Sequence, residues 1–369
     1  MKLNVTKDNL NHGLQAVQNV VSTRTTLPIL SNVLLRAKDG RLELTATDLD
    51  VTISATVDAN VAKAGETTLP IRKLSGIVRE LATGELDLET DEKNFTALRS
   101  GSSFYKIHGL AAEEFPPLPK FKENKKITVP QDKLRSMLRK TSFATSSDET
   151  RYVLNGLLFS LKDHKFTLVA TDGRRLALVE EEVDVPAESH GEFIIPSKAI
   201  NELSRLLQDK GEVEIKFSEN QAAFALKFEK GHGILIISKL IEGNYPNYRQ
   251  VIPAESKERI PFVREELLAA LRRAEIMTSD KSNSVKLNFT KDNVAITANT
   301  PDVGEARDSI AIKYKGKDFA VAFNPAYLMD PLKALAEDEI IFELSDELSP
   351  GVIKINGPFL YVIMPMRMS

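Results

Sequence analysis

The chain of 369 residues is predicted to have an α+β fold of three homologous-looking domains, each combining antiparallel strands with two helices. One pattern, an apolar strand followed by a helix opener and a leucine-rich amphipathic run, occurs three times, starting at Leu3, Ile127 and Ile260. A second pattern, with a proline ahead of a helical run, starts at Leu69, Ile195 and Phe323, at intervals of 126 and 128 residues. Repeats of this length are domain-sized, so we predict domains at 1–122, 127–253 and 258–369.

Each repeat is predicted to contain the strand, helix and strands arrangement twice. In the first repeat, alternating apolar residues predict strands at 3–5, 33–36, 41–45, 51–55, 67–69, 86–90, 96–100 and 105–108. The pair Asp39 and Gly40 is typical of a tight hairpin turn. Apolar residues at helical spacing predict helices at 7–21, 72–80, 131–140, 197–207, 264–275 and 325–336. Pro331 lies inside the last of these, so we expect a kink, an early break, or a helix that begins only near Asp330.

Composition excludes several classes of protein. The chain has no cysteine, which excludes disulfides and thiolate metal sites and favours a cytoplasmic location. No apolar run approaches the roughly 18 residues of a membrane span, and the first residues have no signal-peptide character. We therefore expect neither membrane association nor a bound cofactor.

The positive charge is concentrated in the predicted helices. They hold 14 Lys or Arg against 8 Asp or Glu, although the whole chain carries a net charge of −3. These residues are either solvated helix faces or one surface that faces phosphate groups. The second alternative predicts nucleic-acid contacts from Lys73, Arg79, Lys133, Lys198 and Arg205.

Domain size limits how such a surface could be used. A domain of this length has a diameter of about 35 Å, so three in a ring leave a hole of about 5 Å and six leave about 35 Å. The groove depths of a DNA duplex imply a width of about 20 Å. Three domains are therefore too few to encircle DNA, whereas two chains joined head to tail would suffice.

Four stretches of the chain resemble the family of bacterial DNA polymerase III beta subunits, the sliding clamps or processivity factors. They are Thr26 to Leu30, Arg151 to Gly156, Ala170 to Ala177, and Tyr361 to Arg367, in the order found in that family. The resemblance implies the DNA clamp fold and a homodimeric ring that encircles duplex DNA. It also implies docking of polymerase and clamp-loader subunits through peptide motifs, with no chemistry of the clamp's own.

The resemblance also implies three sets of functional residues. For DNA contact it adds Arg24, Arg151 and Tyr152 to the helix cations. For the partner-peptide pocket it implies Leu154, Thr171, Gly173, Arg174, Arg175, Leu176, Pro246, Val251, Val362, Met364, Pro365, Met366 and Arg367. For the dimer interface it implies Tyr105 and Ile107 against Ile276 and Met277, with Lys73 facing Glu305 or Asp308.

The residue types fit a pocket that accepts different apolar side chains. Met364 and Met366 are flexible and polarizable, and Gly173 lets the backbone come close to a ligand. The first repeat has Leu49 and the third has Pro301 in place of Gly173, so the sequence predicts one pocket per chain. Without the resemblance, the terminal strand would be read as ordinary core.

Two other functions remain open from the residues alone. Asp48, Asp50, Asp172 and Asp302 recur near strand ends, as in a two-metal nuclease, although aspartate is also favoured in tight turns. The five histidines show no metal-ligand spacing, and no phosphate-binding loop or nucleophile elbow is present. The other alternative is a peptide-binding adaptor that does not form a ring.

Overall fold

The computed structural model describes residues 1–21, 27–82, 84–119, 121, 125–227, 233–279, 283–301 and 303–367. Its helices are α1 (Lys7–Val17), α2 (Ile71–Glu80), α3 (Gln131–Thr141), α4 (Ser197–Leu206), α5 (Arg264–Glu275) and α6 (Pro325–Ala334). The first strands are β1 (Lys2–Thr6), β2 (Asn32–Lys38), β3 (Arg41–Thr47), β4 (Val51–Asp58), β5 (Asn60–Lys63), β6 (Gly65–Pro70), β7 (Glu85–Thr90), β8 (Phe95–Ser100) and β9 (Ser103–His108). Next come β10 (Lys126–Pro130), β11 (Gly156–Lys162), β12 (Lys165–Thr171), β13 (Arg175–Glu182), β14 (Gly191–Pro196), β15 (Glu212–Phe217), β16 (Gln221–Lys227) and β17 (Gly233–Lys239). The last strands are β18 (Glu258–Val263), β19 (Val285–Thr290), β20 (Asn293–Thr300), β21 (Gly304–Ala311), β22 (Phe319–Phe323), β23 (Glu339–Leu344), β24 (Gly351–Lys354) and β25 (Phe359–Ile363).

All six predicted helices are present within one to four residues of their expected ends, which confirms the α+β class. Every predicted strand of the first repeat is also found, and Asp39 and Gly40 form the hairpin turn with φ of 51° and 74°. Strand β5 was missed because its sequence is short and polar. Within the described ranges, no helix has both the length and the apolar character needed to cross a membrane.

The chain divides into two compact units, and the division falls inside the middle repeat. The first unit comprises Met1–Arg135 and Lys198–Leu240, and the second comprises Ser136–Ser197 and Ile241–Ser369. The predicted domain limits remain a prediction, because these units follow sheet continuity and not the sequence repeat.

The first unit contains two antiparallel sheets. One has the strand order β5-β1-β7-β8-β9, and the other has the order β10-β15-β16-β17-β4-β3-β2-β6. The larger sheet joins the first and middle repeats, because β4 pairs with β17 from Val51 opposite Ser238 to Thr56 opposite Gly233.

The second unit repeats this construction with the middle and last repeats. Its larger sheet has the order β14-β11-β12-β13-β25-β24-β23-β18, and its smaller sheet has the order β21-β20-β19-β22. Here β13 pairs with β25, with Leu176 opposite Val362 and Leu178 opposite Leu360.

Helix α1 shows how the local sequence defines an element. The Thr6 hydroxyl accepts a hydrogen bond from the Asn9 amide and so caps the helix. Leu10 and Leu14 are fully buried, and a Cβ at Gly13 would lie 2.6 Å from Leu44 Cδ1. The glycine therefore allows α1 to pack closely on β3.

Helix α6 differs from the prediction. It begins at Pro325, where the Asn324 side chain accepts hydrogen bonds from the amides of Ala326 and Tyr327, and it continues past Pro331 to Ala334. The expected break at Pro331 is therefore wrong.

Candidate functional site

A tight turn between β12 and β13 forms the centre of the candidate pocket. The Asp172 Oδ1 atom accepts hydrogen bonds from the amides of Arg174 at 2.9 Å and Arg175 at 3.1 Å. The Thr171 hydroxyl donates to the Arg175 carbonyl at 2.6 Å and accepts from the Gly173 amide at 3.1 Å. Gly173 has a φ of 84°, a conformation that glycine adopts readily.

Arg175 lies beneath this turn and is held by side chains of the same unit. Its Nε donates to Asp172 at 3.0 Å, its Nη1 to Asp330 at 2.5 Å, and its Nη2 to the Phe143 carbonyl at 2.8 Å. The guanidinium also lies 4.3 Å from the centre of the Tyr327 ring. Burial alone would lower the pKa of Arg175, but the hydrogen bond to Asp330 and the nearby negative groups raise it above its ordinary value.

This packing gives Arg175 a structural position, and its contact with a partner stays a prediction. Its side chain is only 9% exposed, and three acceptors already occupy its donors. Arg175 therefore supports the turn from below, unlike Arg174, which is exposed.

The floor of the candidate pocket is a buried apolar cluster on the face of the larger sheet opposite Tyr361 and α6. We define this apolar cluster as Leu158, Val169, Leu176, Ile194, Val352 and Val362. Partly buried side chains of the segment 241–252 pack against it, namely Ile241, Tyr245, Tyr248 and Ile252. This segment also carries the predicted residues Pro246, which is exposed, and Val251, which is 46% exposed. Val153 packs on the cluster as well, next to the half-buried Leu154.

The C-terminal residues run from the apolar cluster across the end of the sheet. The Met364 amide donates to the Arg174 carbonyl at 2.9 Å, and the Met366 amide donates to the Ala322 carbonyl at 2.7 Å. Met364 and Met366 remain 43% and 38% exposed, although both are large and apolar. Pro365 between them is half-buried, and Arg367 is exposed. The structure therefore brings the predicted partner-binding residues together in one unit, around a floor that is apolar and a rim that carries arginines.

Four residues near this site were missed by the sequence analysis. Tyr327 and Asp330 on α6 contact the Arg175 guanidinium, and Tyr361 bonds to α6. In the sequence, each of the three looks like an ordinary core or helix residue. Leu348 is 72% exposed in the turn between β23 and β24, and β24 begins opposite Ile363, the residue before Met364. A leucine within the acidic, polar run 345–350 was a signal that could have been used.

Arg151 and Tyr152, predicted for DNA contact, lie beside the same turn. Arg151 Nη1 donates to the Asp172 carbonyl at 3.2 Å, and its Nε lies 3.6 Å from the Asp148 carboxylate. A Cβ at Gly173 would approach Arg151 Nη1 to 2.9 Å, so the glycine makes room for this arginine. Tyr152 is 58% exposed.

Two of the predicted helix cations have internal partners. Arg205 donates to the carbonyls of Gln15 at 3.0 Å and Ala16 at 2.7 Å, near the end of α1, and also pairs with Glu202. Lys198 pairs with Asp48 and donates to the Val20 carbonyl. These contacts cap α1 and the turn after it. The charge of α4 therefore has a structural use inside the first unit, and contact of Lys198 and Arg205 with phosphate stays a prediction.

The other DNA-binding predictions have different surroundings. Lys73 and Arg79 lie on the exposed face of α2, opposite the buried Leu74 and Val78. Lys133 on α3 is half-buried and has an interaction partner. Arg24 lies outside the described residues.

The predicted dimer residues lie on or near two sheet edges. Strand β9 is the last strand of its sheet in the first unit, and β21 is the end strand of its sheet in the second unit. Tyr105 on β9 is half-buried, whereas Ile107 is only 7% exposed and offers little area to a partner. Phe104 between Ser103 and Tyr105 is 57% exposed and carries Arg99 over its ring at 5.2 Å.

On the second unit, Ile276 is 75% exposed and Met277 is half-buried. Asp308 pairs with Arg273 of the same chain at 2.5 Å, and this hydrogen bond holds the pKa of Asp308 below its usual value. Asp308 is therefore less available to Lys73 than Glu305, which is exposed.

The aspartates that suggested a nuclease serve as turn residues. Asp48 accepts from the amides of Asp50 and Val51, as Asp172 does in its own turn. Asp50 pairs with Lys239 at 3.0 Å. Across the ranges that the structure describes, no three His, Asp or Glu side chains are arranged to hold a metal ion. Asp302 lies outside those ranges.

Comparison with known proteins gives matches along the whole chain. Models of the N-terminal, central and C-terminal domains of the DNA polymerase III beta subunit match residues 1–119, 128–247 and 249–367. The beta sliding clamp of Chlamydia pneumoniae is 34% identical over 368 residues, covering 100% of this chain and 99% of the relative. Crystal structures of sliding clamps from Pseudomonas aeruginosa and Bartonella birtlesii, each bound to griselimycin, match with a TM-score of 0.94. They are 32% and 35% identical and are covered, like this chain, over 100% of their length.

Proposed function

Because the chain belongs to the family of DNA polymerase III beta subunits, the beta sliding clamps, we propose that two copies close into a ring around duplex DNA and tether the replicative polymerase. In this role the protein is a processivity subunit that carries out no reaction of its own, and it works in the bacterial cytoplasm. The observation that carries the proposal is the exposure of Met364 and Met366, which follow Val362 of the apolar cluster along the chain, and of Val251, which precedes Ile252 packed on that cluster. Large apolar side chains left exposed together mark interaction sites.

The partner we propose for this pocket is a short peptide segment with apolar side chains, supplied by polymerase and clamp-loader subunits. Methionine side chains can repack around different apolar groups, which suits one pocket that serves several partners. Two relatives are bound to griselimycin, and we propose that griselimycin also binds the apolar cluster of this chain.

For the ring joint, we propose contact between β9 of one copy and β21 of the other, with Ile276 and Phe104 supplying apolar area. Both are edge strands, whose outer backbone groups are free to pair with another chain. Since Asp308 is already paired with Arg273, the joint depends more on apolar contact than on ion pairs. Dimerisation should therefore be only weakly sensitive to salt, and dissociation in high salt during sedimentation would contradict this arrangement.

For DNA, we propose that Lys73 and Arg79 on α2, with Arg24, Arg151 and Tyr152, face the duplex. Contacts of this kind would be electrostatic and independent of sequence. Lys198, Arg205 and Lys133 would contribute less, since each already has a partner within the chain.

The test of the whole proposal is topological. The protein is loaded onto nicked circular DNA by clamp loader, and the complex is then moved to high salt. A closed ring stays on the circle and leaves when the circle is cut to a linear duplex. A protein held by phosphate contacts leaves both forms alike, and a non-ring adaptor is retained on neither.

The pocket is tested separately with Met364→Ala combined with Arg367→Ala. We expect loss of polymerase binding in this variant with the dimer mass unchanged. Unchanged polymerase binding would show that the partner docks elsewhere.

A further inference from the structure

Helix α6 contains a proline that cannot make the helical hydrogen bond expected at its position. Pro331 is the seventh residue of α6 and has no amide proton, so the Tyr327 carbonyl four residues earlier loses its usual donor. The helix nevertheless continues, and the Leu335 amide donates to the Pro331 carbonyl at 3.0 Å. Some other group must stabilise the Tyr327 carbonyl.

The Tyr361 hydroxyl is that group. It donates to the Tyr327 carbonyl at 2.7 Å, and its side chain is fully buried beside the Phe143 ring. Burial raises the pKa of Tyr361 above its ordinary value, so the hydroxyl keeps its proton and remains a donor. Tyr361 thus supplies to α6 the hydrogen bond that Pro331 cannot.

We propose that Tyr361 is a positioning residue for the partner pocket, and that Pro331 makes its hydroxyl necessary. The inference rests on the proposed function of the pocket. Successive residues of a strand point to opposite faces, so β25 directs Tyr361 toward α6 while Val362 belongs to the apolar cluster. One hydroxyl therefore connects the strand that forms the pocket floor to the helix behind it.

Helix α6 carries two residues that fix Arg175 beneath the turn between β12 and β13. Tyr327 lies under the Arg175 guanidinium, and Asp330 accepts from it at 2.5 Å. Arg175 in turn fixes Asp172, whose carboxylate closes the turn that carries Gly173 and Arg174. Loss of the Tyr361 hydroxyl leaves the partly buried Tyr327 carbonyl without this donor, in the turn of α6 that carries both Tyr327 and Asp330.

A loosened α6 lowers the fraction of molecules whose pocket is ready to bind. Apparent affinity falls in proportion to that fraction. The effect should disappear when α6 regains its own amide donor, which Pro331→Ala supplies.

The experiment is a double-mutant cycle on the full-length dimer, with Tyr361→Phe, Pro331→Ala and the double variant. Griselimycin is the probe, and its dissociation constant is measured by calorimetry. Tyr361→Phe should weaken binding at least fivefold when residue 331 is proline, and less than twofold when it is alanine. The cycle isolates the coupling between the two positions.

Tyr314→Phe is the matched control. Tyr314 is also a buried tyrosine of the second unit, and its hydroxyl donates to the Lys317 carbonyl at 2.6 Å. The same chemical deletion there should leave griselimycin affinity unchanged.

Equal losses in both backgrounds, or no loss in either, would overturn the proposal. If the wild type itself fails to bind griselimycin, the pocket assignment fails, and the positioning role is then decided by amide hydrogen exchange. Tyr361→Phe should speed exchange in α6 only when residue 331 is proline. Unchanged exchange there would overturn the inference independently of the ligand.

Discussion

The two larger sheets have the same strand arrangement, yet four aligned positions on one face are all aliphatic in only one of them. The pairings align Leu34, Thr45, Thr52 and Thr68 of the first unit with Leu158, Val169, Leu176 and Ile194 of the second. Three of the four cluster positions contributed by the middle repeat are therefore threonine in the first unit. The face on which we propose that partners dock therefore differs from its counterpart by aliphatic side chains in place of hydroxyl side chains.

The threonines of the first unit satisfy one another. Thr45 bonds to Ser54 at 2.8 Å, Thr47 to Thr52 at 2.9 Å, and Asn32 donates to Thr68 at 3.0 Å. Polar groups paired in this way need no further partner. Gly173 distinguishes the two turns in sequence, and the strand register adds a second difference, in the sheet face beside each turn.

The turns beside these two faces also differ at one buried position. Val51 follows the first turn at the position that Arg175 occupies after the second, since each amide donates to the turn aspartate. Val51 is 1% exposed and needs no polar partner. The side chain of Arg175 is held by Asp172 and Asp330, so the second unit has a buried ion network at the position where the first unit places a valine.

The largest effect is expected from removing one partner of that network. Asp330→Ala should lower the free energy of unfolding of the second unit by about 3 to 5 kcal/mol, because it leaves Arg175 buried with one acceptor fewer. Combining it with Arg175→Val, which copies the first unit, should recover a large part of the loss. Amide hydrogen exchange in β13 and α6 measures both changes. A double variant less stable than Asp330→Ala alone would contradict the comparison.

The next effect is on binding. Val169→Thr with Leu176→Thr gives two buried positions of the second unit the side chains of the first. The buried hydroxyls should loosen the floor on which the segment 241–252 packs and weaken griselimycin binding by roughly tenfold. Calorimetry measures the affinity, with Thr45→Val and Thr52→Leu in the first unit as the reciprocal control. That control should leave affinity and stoichiometry unchanged, because the first unit has Lys239 at the position of Met364: its amide donates to the Asp50 carbonyl as that of Met364 does to the Arg174 carbonyl. Extra binding sites in the control would show that the sheet face alone is sufficient.

The sequence predicted the elements of the fold well because their signals are local. Periodic apolar residues and capping side chains such as Thr6 and Asn324 lie within each helix, so the helix ends were predicted closely. The break expected at Pro331 was wrong because its compensating donor, Tyr361, is 30 residues away in sequence. Strand β5 was missed because its four residues, Asn60–Lys63, are too few to show an alternation of apolar and polar side chains.

The same limit applies to the candidate site. The pocket residues were named from the family resemblance, and the structure gathers them in one unit, but their roles stay predictions. The sequence did not predict which side chains form hydrogen bonds or ion pairs with one another. Charge alone could not show that Lys198 and Arg205 bond within the first unit, or that Arg273 pairs with Asp308.

A smaller effect concerns the glycine that distinguishes the two turns. Leu49 adopts a φ of 80° at the position where Gly173 has 84°, so the turn itself does not require glycine. Gly173→Ala should destabilise the second unit by about 1 kcal/mol through the left-handed backbone, with Arg151 moving aside. Thermal unfolding measures this change, and Leu49→Gly is the reciprocal variant. A loss well above that size would mean that the position of Arg151 is tightly fixed.

The smallest effect is expected at the ion pair that closes the first turn. Lys198 is 46% exposed in its side chain, so its pairing with Asp48 resembles a surface salt bridge and Lys198→Met should cost less than about 1 kcal/mol. Retention on circular DNA should also change little, whereas Lys73→Met combined with Arg79→Met should weaken salt-sensitive DNA contact more, because both side chains face solvent. Salt titration of binding to short duplexes compares the two variants. A greater loss of salt dependence from Lys198→Met would show that the internal pair opens to reach phosphate, and that the first turn is not closed as its hydrogen bonds indicate.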